Sequence, residues 1–117
     1  MTKPVRFEDE ASAELHGAAL RYEAARLGTG TRLLADTDEV VARIADFPGL
    51  GPRIPGVPED LNVRRVLLWR FPYYVAYIEL ENAIRVLAFG HTSRKPGYWF
   101  GRIDDSLGTP DGASADP

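Results

Sequence analysis

The run Arg64-Arg65-Val66-Leu67-Leu68-Trp69-Arg70-Phe71-Pro72-Tyr73-Tyr74-Val75-Ala76-Tyr77 is followed, after a Glu81-Asn82 link, by Ile84-Arg85-Val86-Leu87-Ala88-Phe89-Gly90-His91-Thr92-Ser93-Arg94-Lys95-Pro96-Gly97-Tyr98-Trp99. Aromatic and β-branched residues dominate, so Val63–Trp69, Tyr73–Leu80 and Ala83–Gly90 read as three strands, the last two joined by a tight turn. The final strand alternates Ile84, Val86 and Ala88 against Arg85, Leu87 and Phe89. Both sides are rather apolar, as in a central or well-covered strand. A buried sheet has no need of polar and cationic groups where its last strand runs out, yet His91, Arg94, Lys95, Tyr98 and Trp99 gather there.

Upstream, Pro4–Phe7 is a short strand candidate, and Glu8-Asp9-Glu10 falls where a first helical turn favours carboxylates. Ala11, Leu15, Ala18, Ala19, Tyr22 and Ala25 recur at helical spacing, with Gly28 as the stop. A second helix is expected from about Thr31, with Leu33, Leu34, Val40, Val41, Ile44 and Phe47 as its stripe and Pro48-Gly49 as its end. The Gly-Thr-Gly link makes the two an antiparallel hairpin. The proline-rich stretch 48–62 reads as an ordered loop, because strands follow at once. The expectation is an α+β fold, β-α-α-β-β-β, with the helical hairpin on one face of a small, twisted, mainly antiparallel four-stranded sheet.

With 117 residues and 44% hydrophobic content, the chain is expected to be a single domain over 1–103 followed by a disordered acidic tail over 104–117. The lack of cysteine rules out disulfides and thiolate metal sites. No apolar run approaches the roughly 20 residues of a membrane span, and the N-terminus does not resemble a signal peptide, so the cytoplasm is the expected location. The net charge of −3 is unevenly spread: residues 60–103 hold seven Lys+Arg against three Asp+Glu, while 104–117 hold four Asp and no base. The sheet half is therefore cationic, which fits a polyanion or an acidic protein segment as partner, though too weakly for a strong nucleic-acid binder.

The element order, with Arg65, Arg70-Phe71-Pro72-Tyr73, Tyr77, Ile84–Ala88 and His91 through Trp99 in sequence, resembles the RelE/ParE superfamily of bacterial toxins over about residues 4–102. It is most similar to the ParE-type, plasmid-stabilisation branch. The resemblance implies the toxin of a type II toxin–antitoxin module, neutralised by a cognate antitoxin. It also implies one of two targets: DNA gyrase for ParE-like members, or ribosome-bound mRNA for RelE-like endoribonucleases. A third alternative is an inactive protein-binding module of the same fold, accepting a partner by strand addition or helix docking.

Metal-free RNA cleavage needs a base for the 2′-OH, an acid for the leaving oxygen and cations for the phosphorane-like charge. Arg65, His91, Arg94 and Tyr98 are the candidates for those roles. Val66, Leu67 and Leu68 stand where the nuclease branch has further bases, and Tyr74 where an arginine is common, so binding is favoured over catalysis. The candidate target-binding residues are Arg64, Arg65, Arg70, His91, Arg94, Lys95, Tyr98 and Trp99. Each also has a plain structural reading. His91 reads as a strand-end cap, and one of Arg64 and Arg65 as the partner of an acid such as Glu39 or Asp46. Arg70 reads as a turn brace, Tyr77 as packing, and Trp99 as a clasp on the sheet edge. No cofactor is expected, and His16 and His91 lie far apart in sequence with no carboxylate cluster accompanying either, which does not suggest a metal. Because both sides of the last strand are apolar, an antitoxin segment is expected to cover the sheet and the helix hairpin.

Overall fold

A computed structural model describes residues 2–108. In chain order the elements are β1 (Val5–Phe7), α1 (Asp9–Ala25), α2 (Thr29–Asp46), β2 (Val63–Leu67), β3 (Tyr73–Glu79), β4 (Ile84–His91) and α3 (Gly101–Gly108). The four-stranded sheet runs β1-β4-β3-β2. β2, β3 and β4 form an antiparallel meander, and β1 pairs with β4 in parallel, Val5 opposite Ile84 and Phe7 opposite Val86. The sheet is therefore mixed, its two central strands being β3 and β4.

β3 alternates between two cores. Tyr73, Val75 and Tyr77 pack with Leu15, Ala18, Leu33 and Ile44 of the helices, while Tyr74, Ala76 and Ile78 face a second cluster with Trp99 and Ile103. The alternation expected for β4 fails midway. A register irregularity sets Ala76 opposite Ala88 but Tyr77 opposite Val86, so Leu87 is an extra residue. Leu87 and Ala88 consequently both serve the second core, and Phe89 joins Ile84 and Val86 on the helical side.

Both faces of the central strands β3 and β4 are closed by the chain itself, so the apolar last strand is not the open surface it was expected to be, while Arg65 and Leu67 of β2 stay exposed. The helical hairpin covers one face; Ile54, Val57 and Leu61 of the proline-rich loop and Trp99 and Ile103 cover the other. That loop is held down by Tyr77, whose hydroxyl donates to the Pro48 carbonyl at 2.6 Å and accepts from Gly51 N–H at 3.3 Å. Large apolar side chains do remain exposed, but at the periphery: Leu20, Leu27, Phe47, Leu67 and Trp69.

α2 starts at Thr29, two residues earlier than expected, because Glu23 caps it: its carboxylate accepts from Gly28 N–H and Gly30 N–H at 2.8 and 3.0 Å. α3 corrects the expected start of the tail. Residues 104–108 are helical, and buried Ser106 donates to Glu8 Oε2 at 2.5 Å, the carboxylate that also pairs with Arg85 at 3.0 Å. Residues 109–117 of the expected tail lie outside the described residues.

Candidate functional site

The site is organised by Glu14, on the sheet-facing side of α1. Its Oε1 accepts from Phe89 N–H at 3.1 Å and from Arg102 Nη1 at 3.0 Å; its Oε2 accepts from the Tyr98 hydroxyl at 2.8 Å and from Arg102 Nη2 at 3.1 Å. Arg102 also donates to the Leu87 carbonyl at 2.9 Å, joining α3 to the bulge. The Arg94 guanidinium stacks on the Tyr98 ring at 3.8 Å from its centroid and stands 3.8 Å from Glu14 Oε2. One half-buried carboxylate thus serves two arginines and a phenol.

The electrostatics follow from that sharing. Burial pushes the Tyr98 hydroxyl well above its ordinary pKa, and its hydrogen bond and charge repulsion with Glu14 push it further. Tyr98 therefore stays protonated and donates. Burial works against the charge on Arg102, but Glu14 outweighs it and the net shift is upward. Among the described residues no group of three or more His, Asp or Glu side chains comes together to hold a metal.

His91 ends β4 on the helical side, its ring edge-on to Tyr73 with centroids 5.0 Å apart. Its Nδ1 accepts from Ser93 N–H at 3.0 Å and lies 2.8 Å from Ser93 Oγ, a contact that fixes the ring at the strand end. His91 and Arg94 share a cavity of about 200 Å³ with Gly17, Arg21 and Tyr73. Arg94 and Lys95 are exposed in the turn that follows.

The structure brings His91, Arg94 and Tyr98 together, but the remaining candidates go elsewhere. Arg65 is exposed on β2, with its guanidinium 5.2 Å from the Tyr74 ring centroid, and shares no hydrogen bond, ion pair or ring contact with the other three among the described residues. Arg64 donates to the Gly51 carbonyl at 2.7 Å and Asn62 Oδ1 at 3.3 Å, so it braces the proline-rich loop and meets neither Glu39 nor Asp46. Trp99 is not a surface contact: it is 2% exposed and donates to the Tyr74 hydroxyl at 2.9 Å inside the second core. Among the described residues the Arg70 side chain makes no hydrogen bond or ion pair, so the expected turn brace is not formed. The residue is exposed in the β2–β3 loop and lines a separate cavity.

Glu14, Arg102 and Arg21 escaped the sequence reading. Glu14 lies one position before buried Leu15, so periodicity puts it beside the core stripe and gives no reason for three donors to converge on it.

A family model for the ParE toxin of the type II toxin–antitoxin system parDE matches residues 5–96. Eight chains of solved structures match as well. One, from the chromosomal ParDE TA system of P. aeruginosa, has a TM-score of 0.65 at 20% identity, covering 77% of this chain and 96% of that one; this likeness is one of fold. No curated protein matches the chain.

Proposed function

The chain belongs to the ParE toxin family of type II toxin–antitoxin systems, and from that premise we propose that it arrests growth by binding and poisoning DNA gyrase in the cytoplasm. The observation that carries binding over catalysis is the Glu14 clamp. RNA cleavage asks the site for a group that gives up or takes a proton, and the Tyr98 phenol is held protonated, its hydrogen already committed to Glu14. His91 has its Nδ1 bonded to Ser93 and its Nε2 left over, but Arg65, the further cation a nuclease would call on, stands on the far side of β3. What remains accessible is a cationic ridge of Arg94 and Lys95 above a fixed aromatic base. Such a surface recognises an acidic patch.

The antitoxin is the second proposed partner. An apolar groove of about 370 Å³ along the hairpin, lined by His16, Leu20, Gly30 and Leu34, suits an amphipathic segment laid against α1 and α2.

Inducible expression without an antitoxin, read in parallel for translation and plasmid supercoiling, tests the reading. Stalled gyrase–DNA complexes and a DNA-damage response are the expected outcome. Immediate loss of protein synthesis with cleavage of ribosome-bound mRNA overturns it. Arg94→Lys should keep much of the toxicity and Arg94→Glu abolish it, because a binding contact needs the charge. A nuclease would instead lose roughly a hundredfold with lysine, which cannot grip a phosphate bidentately.

A further inference from the structure

Arg26, Arg32 and Arg70 line one cavity of about 410 Å³, between the α1–α2 turn and the β2–β3 loop. Among the described residues none of the three makes a side-chain hydrogen bond or ion pair, whereas Arg94 and Arg102 both have Glu14. The cavity also holds Tyr22 and Phe71, packed edge to face at 5.1 Å, and Leu27, which is 90% exposed. No Asp, Glu or Lys lines it. Glu23, near in sequence, is turned to the backbone N–H groups at the start of α2, so the charge of the cavity comes from the arginines.

Three uncompensated guanidiniums around one concavity focus a positive potential that a single anion does not neutralise. Arg beside Tyr and Phe, without Lys, Asp or Glu, is the make-up of a protein-interface centre. A nucleic-acid backbone would answer the charge but gain nothing from Leu27, and a net charge of −3 offers such a polyanion little attraction.

We propose that this cavity docks a protein segment bearing two or three clustered Asp or Glu residues beside an apolar side chain, and that the segment belongs to the protein the toxin attacks. The second half rests on the binding reading above. Continuity argues for the target over the antitoxin. Tyr22, which lines this cavity, packs at 6.4 Å on buried Tyr73, which lines the cavity of His91 and Arg94, so the two concavities adjoin across one pair of rings. The apolar hairpin groove is lined by His16, Leu20 and Leu34 instead.

The test compares the full chain with its R26Q/R32Q/R70Q form in three assays. These are inhibition of supercoiling by gyrase holoenzyme, affinity for the antitoxin, and NMR titration of the arginine side chains with a peptide of three Asp flanked by Leu. The expected result is a half-inhibitory concentration raised by roughly tenfold or more, antitoxin affinity unchanged, and peptide-dependent shifts at Arg26, Arg32 and Arg70. Equal inhibition by both forms overturns the proposal. So does a loss confined to antitoxin affinity, or tighter binding of single-stranded DNA than of the peptide at these arginines. If the unmodified chain fails to inhibit gyrase, the gyrase reading falls by itself and the titration decides: shifts at the three arginines sustain the acidic-segment site, and silence overturns it. Should the triple form not fold, Arg70→Gln, exposed in a loop, carries the same comparison.

Discussion

The Tyr98 hydroxyl donates to Glu14 Oε2 at 2.8 Å, tying the segment after β4 to the first helix across 84 residues of chain. The same carboxylate anchors Arg102 of α3 and the Phe89 backbone at the end of β4. The ridge proposed for target binding is thus held from beneath by a residue that need not touch the target.

Glu14→Ala should leave Arg102, largely withdrawn from water, without its carboxylate, and cost about 3 kcal/mol of stability. Urea unfolding measures this. In a double-mutant cycle with Arg102→Ala the two costs should be strongly non-additive, because the second change removes the stranded charge. Additive costs would show that the pair does not interact.

Stability should fall at alkaline pH through the tyrosines. The Tyr98 hydroxyl is raised above its ordinary pKa by burial and by Glu14, and Tyr77 by burial. The unfolded chain therefore releases those protons near pH 10 while the folded chain keeps them. The contribution is full below about pH 10 and is lost as pH rises toward the folded values. Melting temperature against pH from 8 to 11 should drop more steeply for the parent chain than for Tyr98→Phe. Parallel curves would contradict the shift.

Glu23 behaves in the opposite sense. Its pKa is lowered, chiefly by the Gly28 N–H and against an opposing desolvation, so the cap is present above the ordinary carboxylate pKa and lost as pH falls through the depressed one. Glu23→Gln should lower the melting temperature at pH 7 but make little difference once the pH lies well below the depressed value. An equal loss at both pH values would mean that the hairpin does not depend on the charge.

Gly90→Ala should be damaging although its backbone is ordinary strand. A Cβ there would meet the Tyr74 ring at 2.6 Å, and that ring is fixed by Trp99. Overpacking of this kind costs about 1–3 kcal/mol. Tyr74→Ala in the same chain should relieve part of the strain, read as a positive coupling in thermal unfolding.

Tyr77→Phe keeps the ring in the core but removes the only side-chain hydroxyl bonded to Pro48 and Gly51 among the described residues. The expected cost is about 1–2 kcal/mol, together with faster proteolysis within 48–62. Unchanged cleavage would show that the loop is held without this hydroxyl, by Arg64 and the backbone bonds of Pro52 and Ile54.

The pattern of residues was sufficient for the elements and for the helical hairpin on one sheet face, because helical and strand periodicities are local properties of the side chains. It was also sufficient for the family, whose model matches residues 5–96. Tertiary structure alone decided the rest. The extra residue Leu87 exists only as a mismatch with β3, and it is what puts Phe89 on the helical side of the sheet. Trp99 could be read as a surface clasp until the second core closed over it. Glu14 meets Tyr98 and Arg102, and Arg26 and Arg32 meet Arg70, through folding rather than through spacing. A hydrophobic stripe declares which way an element faces, whereas a charge declares nothing about its partner until distant segments bring their own charges beside it.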